Sequence, residues 1–170
     1  MNTAAPEPRA LRAHYPYWRE LQTRWGDNDI YGHMNNVVHY QLFDTVVNRF
    51  YAEDAGWNPA TSEAIGITPE TRCRYFKQLR YPDPVDAGVR AAHVGRKSLV
   101  FDIGLFRRGD PDPAAIGYFV HVFVARERQE QTVAVPAGIL AAVQRLMAGA
   151  DGAGQEPGAG PTASVRQTAG

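Results

Sequence analysis

The chain has 170 residues, 44% of them hydrophobic, and its 18 basic residues are balanced by 18 acidic ones. That length suits one domain with its own core, and the neutral balance argues against a general nucleic-acid binder, which carries a basic excess. The single cysteine, Cys73, excludes an internal disulfide and a multi-cysteine metal site.

Residues 1–14 are rich in Ala, Pro and Arg and read as a flexible arm. Tyr17, Arg19, Leu21, Thr23 and Trp25 then alternate with Trp18, Glu20, Gln22 and Arg24, which is the period of a strand. A polar, glycine-punctuated connection follows. After it Tyr40, Phe43, Val47, Phe50 and Tyr51 recur at helical spacing, with Val37, Leu42 and Val46 widening the stripe. This predicts a helix over about 36–55, stopped by Gly56 and Pro59, and apolar enough around its circumference to be enclosed by protein. Thr71, Cys73 and Tyr75 alternate with Glu70, Arg72 and Arg74, and beyond Pro82 and Pro84 a strand is expected near 88–96. Leu99, Phe101, Ile103 and Leu105 mark the next strand, residues 107–113 a turn, and residues 116–125, apolar on both faces, a central strand. Pro136 opens a final helix with Ile139, Leu140, Val143, Leu146 and Met147 on one face. From residue 148 the chain is Gly, Ala, Pro and small polar residues, the composition of a disordered tail. The folded domain is therefore expected over 15–147, and one helix followed by sequential strands makes it α+β with an antiparallel sheet.

No apolar run approaches the roughly 20 residues of a membrane helix, and residues 1–13 lack the apolar centre of a secretion signal. A cytoplasmic protein with no membrane or nucleic-acid partner is the expectation.

The chemistry is concentrated in the connection before the first helix, which holds Asp27, Asp29, His33, Asn35 and Asn36. Gly26 and Gly32 allow backbone angles other residues avoid, and either asparagine can cap the helix. Asp29 stands seven positions before Asn36, so one turn can set its carboxylate opposite the helix N-terminus. Early helix amides lack intrahelical partners and the dipole adds to their pull, so the Asn36 N–H suits a developing oxyanion. The competing reading is that Asp29 only satisfies loop amides, as aspartates in turns do. Asp44, one helical turn before Asn48, reads as facing solvent or a subunit interface. Gly95-Arg96-Lys97-Ser98 places two cations and a hydroxyl on a turn between strands, a set suited to phosphate oxygens. The histidines His14, His33, His39, His93 and His121 show no paired-ligand spacing, so no metal is expected. There is no G-x-S-x-G elbow and no phosphate-binding glycine loop.

The run Arg24-Trp25-Gly26-Asp27-Asn28-Asp29-Ile30-Tyr31-Gly32-His33-Met34-Asn35-Asn36, followed by Tyr40, resembles the signature of the 4-hydroxybenzoyl-CoA thioesterase group of the hotdog-fold superfamily. The resemblance spans residues 17–147 and is densest over 24–51. It implies the hotdog fold, a curved antiparallel β-sheet wrapped around one long central α-helix. It implies an acyl-CoA thioesterase with Asp29 as nucleophile or general base, the Asn36 amide as oxyanion donor and Asp27 as a structural aspartate. Gly32, His33, Asn35 and Tyr40 would shape the substrate site, and Arg96, Lys97 and Ser98 would contact the phosphates of coenzyme A. No cofactor is implied, since coenzyme A arrives as part of the substrate. A site between two subunits implies a homodimer or homotetramer. Two other functions stay open. One is a hotdog enoyl-CoA hydratase, of whose D-x-N-P-x-H segment Asp29 and His33 are a distant echo lacking the proline. The other is a non-catalytic acyl-CoA-binding module. The acyl group, and an acyl carrier protein in place of coenzyme A, are also left open.

Overall fold

The computed structural model of the protein describes residues 12–149. Six strands, β1 (Tyr17–Leu21), β2 (Ala64–Tyr75), β3 (Val85–Val94), β4 (Ser98–Arg107), β5 (Ala115–Ala125) and β6 (Arg128–Thr132), form one antiparallel sheet. Its order is β1-β3-β4-β5-β2, with β6 also paired to β5. Helix α1 (Asn36–Asp54) packs on the curved sheet, and α2 (Ala137–Gly149) closes one end of the core. This is the hotdog arrangement.

The core follows from alternation. Leu99, Phe101, Ile103 and Leu105 send every second side chain of β4 to one face, where they meet Phe43, Val46, Val47 and Phe50 of α1. Each fully buried side chain of this kind stabilises the fold by roughly 1.5–3 kcal/mol. Gly117 lets helix and sheet approach, because a Cβ there would stand 2.6 Å from the Phe43 ring. On the opposite face Tyr15, Trp18 and Phe106 form a small second cluster.

Several expectations are corrected. β1 ends at Leu21 rather than Trp25, because its partner β3 begins at Val85. Pro84 has no N–H for a ladder, and the chain beyond Leu21 instead ties Thr23 Oγ1 to the Asp83 carbonyl at 3.0 Å. β3 occupies 85–94 rather than 88–96. β6, entirely exposed and polar, carries no alternation by which it could have been anticipated. Met147 is 46% exposed, and Ala142 takes the buried place on α2. The helix α1 is enclosed on one side only within the chain, with Val37, Gln41, Asp44 and Thr45 exposed. Of the expected arm (1–14) and tail (148–170), residues 1–11 and 150–170 lie outside the described residues. Within them, Arg12–His14 is a 3-10 turn held by an Arg12–Asp86 ion pair of 3.0 Å, and α2 continues to Gly149.

Candidate active site

The connection between β1 and α1 is folded by its own polar groups. Residues Trp25–Asp27 make a single 3-10 turn. Asp27, 2% exposed, receives the Arg24 N–H at 2.7 Å and the Arg24 guanidinium at 2.9–3.0 Å. Its carbonyl accepts from Asn35 N–H at 2.8 Å, so it ties the start of the loop to its end. Both oxygens are occupied and buried, which suits a structural carboxylate.

Asp29 is placed differently. Its N–H donates to the His33 carbonyl at 2.8 Å, and Gly32, with φ of 79°, closes the reversal. Oδ1 accepts from the Tyr31 and His33 amides at 2.8 and 3.4 Å, while Oδ2 makes no hydrogen bond among the described residues. The loop-amide reading is thus satisfied by one oxygen, and the other is left available. Met34 N–H donates to the Leu79 carbonyl at 2.8 Å and Tyr81 N–H to Asn28 Oδ1 at 3.0 Å, docking the loop on the segment after β2.

Asn35, not Asn36, caps α1. Its Oδ1 accepts from Val37 N–H at 3.2 Å. Asn36 is the first helical residue, and among the described residues its N–H has no acceptor. Asn36 is one of the residues that line a cleft of about 170 Å³, together with His33, Met34, His39, Tyr75, Lys77, Gln78 and Leu79. His39 is buried on the cleft floor with its ring edge-on to Tyr75, centroids 4.9 Å apart. Burial holds the His39 imidazole below its ordinary range, against the pull of the Asn35 and Asn36 backbone. Tyr75 donates to the Asn36 carbonyl at 3.5 Å.

The structure therefore gathers Asp29, Gly32, His33, Asn35 and Asn36 at one end of the sheet. Tyr40 is half-buried, its ring edge-on to Phe43 with centroids 5.9 Å apart, and is not among the residues lining the cleft. Asp44 lies in a separate groove with Glu20, Arg24 and Arg49. Arg96 and Lys97 lie in the turn between β3 and β4 and Ser98 opens β4, but at the other end of ten-residue β3, roughly 30 Å away at 3.3 Å per residue. Lys97 Nζ there donates to Thr132 Oγ1 at 2.6 Å, and the Arg96 carbonyl accepts from Val135 N–H at 3.0 Å. One chain does not bring this turn to Asp29. His39 and residues 77–79 were not foreseen as site residues. His39 could have been, since it stands one helical turn beyond Asn35. Among the described residues no group of His, Cys, Asp and Glu is arranged to hold a metal, and no helix is long and apolar enough to cross a membrane.

Comparison with known proteins places the fold in a wider group. The crystal structure of the PA5185 protein of Pseudomonas aeruginosa strain PAO1 is 40% identical, with a TM-score of 0.79, covering 82% of this chain and 96% of that one. A 1,4-dihydroxy-2-naphthoyl-CoA thioesterase from Synechocystis shares the fold at 12% identity, with a TM-score of 0.69 over 77% of this chain and 97% of its own. The YsmA protein of Bacillus subtilis (strain 168) is 22% identical over 116 residues, 68% of this chain and 78% of that protein. The model of the thioesterase-like superfamily matches residues 23–143. The chain belongs to that superfamily, and the reaction class that goes with it is thioester hydrolysis.

Proposed function

We propose that the protein hydrolyses an acyl-CoA thioester to a carboxylic acid and free coenzyme A, with Asp29 and the Asn36 amide as its working groups. The observation that carries the reading is an Asn36 N–H with no acceptor among the described residues, at the head of a 19-residue helix and on a residue that lines a cleft, preceded in the same loop by the Asp29 carboxylate with one oxygen to spare. The thioester oxygen would accept from Asn36 N–H, where the helix dipole favours the negative charge formed on attack. In the general-base route Asp29 Oδ2 takes a proton from water as the hydroxyl adds to the carbonyl carbon. The tetrahedral oxyanion then collapses, the C–S bond breaks, and the thiolate leaves with a proton. In the nucleophilic route Oδ2 itself attacks and expels the thiolate, leaving a mixed anhydride that water hydrolyses. The amides holding Oδ1 orient the carboxylate for either route.

The distance between Asp29 and the Arg96–Lys97–Ser98 turn supports a site shared by two copies, the turn of one meeting the phosphates of a ligand seated at the cleft of the other. The twelve-residue β2, paired on one side only, with Ile67 and Tyr75 exposed, suits pairing with a second copy. So do the exposed Ile30, Tyr31 and Val37 around the cleft.

The test is thiol release from short, medium, long and aromatic acyl-CoAs by wild type and Asp29→Asn in parallel. Release by wild type that falls at least about 100-fold in the variant is expected, the scale of losing a principal transition-state group. Equal rates would remove Asp29 from the chemistry. Acyl-CoA binding without release would favour the binding module.

A further inference from the structure

The peptide unit that carries the Asn36 N–H has the Asn35 carbonyl as its other pole, the two fixed in one plane. Whatever holds that carbonyl sets where the N–H points. It accepts from Val38 N–H at 3.0 Å, inside the helix, and from the His39 side chain, whose Nδ1 stands 3.3 Å away. A carbonyl oxygen only accepts, so Nδ1 carries the imidazole proton and Nε2 is the bare acceptor. The ring is 4% exposed and held edge-on by Tyr75, itself bonded to the next carbonyl, that of Asn36.

We propose that His39 is a positioning residue for the oxyanion donor: by donating from Nδ1 to the Asn35 carbonyl it orients and polarises the peptide whose N–H is presented by Asn36. The inference rests on the proposed role of that amide and extends it to a residue that the mechanism above does not use. A carbonyl that accepts a hydrogen bond draws electron density from its own amide nitrogen, so the N–H becomes a stronger donor. Chained bonds strengthen one another by about 10–30%, and a single oxyanion donor is worth roughly 10²–10³ in rate. Loss of the His39 bond is therefore expected to lower kcat by about 2- to 8-fold, with little change in KM. Burial, which disfavours the imidazolium, keeps a neutral ring in this place. Packing alone would need no nitrogen here, since phenylalanine would meet Tyr75 as well.

Two variants separate the donor from the ring. His39→Phe keeps the ring and removes Nδ1, whereas His39→Asn loses the ring and keeps an amide nitrogen at the same branch point. The expected result is a lower kcat in His39→Phe at unchanged KM, most of it recovered in His39→Asn. A second readout is free of turnover. In isotopically labelled protein the three-dimensional HNCO peak of Asn36 reports the Asn35 carbonyl carbon, which should move upfield in His39→Phe and return in His39→Asn. An unmoved carbonyl signal, or a kcat loss that His39→Asn fails to recover, would overturn the proposal. Absence of thiol release by wild type would sink the thioesterase chemistry assigned to this site, while the carbonyl shift would still decide whether His39 polarises this peptide.

Discussion

The two ends of α1 are finished in opposite ways. At the C-terminal end the chain reversal and two of the last carbonyls are closed off. Gly56 takes φ of 63° to reverse the chain, Trp57 N–H donates to the Tyr51 carbonyl at 3.0 Å, and Arg145 donates to the Asp54 carbonyl at 3.0 Å. Beneath it the Tyr51 hydroxyl and His121 Nδ1 meet at 2.9 Å in the core. At the N-terminal end the Asn36 amide has no acceptor among the described residues, and Asn36 lines a cleft with the exposed Tyr75. The same helix thus contributes stability at one end and a reactive dipole at the other. Substitutions at the closed end should change stability and leave turnover alone, whereas at the open end turnover should change independently of stability.

The largest effect expected at the closed end is a dependence on pH. Burial lowers the His121 imidazole to about 4, whereas an unfolded histidine titrates near 6.5. Below about pH 6.5 the unfolded chain takes up a proton that the folded chain refuses, so stability falls with pH until about 4 and then levels. The contribution is fully present above 6.5 and is worth on the order of 3 kcal/mol across the window. Denaturant unfolding at steps from pH 7 to pH 4.5 should show a steep loss in wild type and a shallower one in His121→Asn. Equal slopes would assign the acid sensitivity to the carboxylates. Gly56→Ala comes next. A Cβ there meets nothing within 4 Å, so the cost is the left-handed backbone alone, about 1–2 kcal/mol by thermal or chemical unfolding. Its kcat should match wild type, and a loss of rate without a loss of stability would break the contrast between the two ends.

Much of this frame could be read in advance because it rests on local periodicity. The alternation over Leu99, Phe101, Ile103 and Leu105 and the helical stripe from Leu42 to Tyr51 survive because tertiary packing uses those faces. The loop was legible in part, in that Asp27 pairs with Arg24 and Asp29 accepts from loop amides. What could not be read depends on contacts distant in sequence. The end of β1 is decided by where β3 begins, beyond Pro84, and not by the alternation of residues 17–25 itself. The cleft floor joins Asn36 to Tyr75 across 39 positions, a pairing that no local spacing encodes. Phosphate chemistry on the Arg96–Lys97–Ser98 turn said nothing about which end of the sheet would carry it. Antiparallel β3 sets it opposite Asp29.

The open end offers the sharpest separation with the smallest cost in stability. Asn35→Ala removes the bond to Val37 N–H and should lower stability by about 1 kcal/mol, the usual worth of an N-cap. Asn35→Asp restores an oxygen to the same amide and adds a negative charge where the helix dipole welcomes it, so stability should return to wild type or exceed it. That charge also stands beside the Asn36 N–H, where a second negative charge must develop during attack on the thioester. Coulomb repulsion then raises the barrier even as the dipole stabilises the fold, and kcat should fall in Asn35→Asp while its melting temperature does not. Melting curves and thiol-release rates on the same three proteins decide the matter. If rate follows stability through the series, the N-terminus of α1 is only a well-capped helix end. If the two part company at Asn35→Asp, the unpartnered amide is the feature that α1 keeps for chemistry.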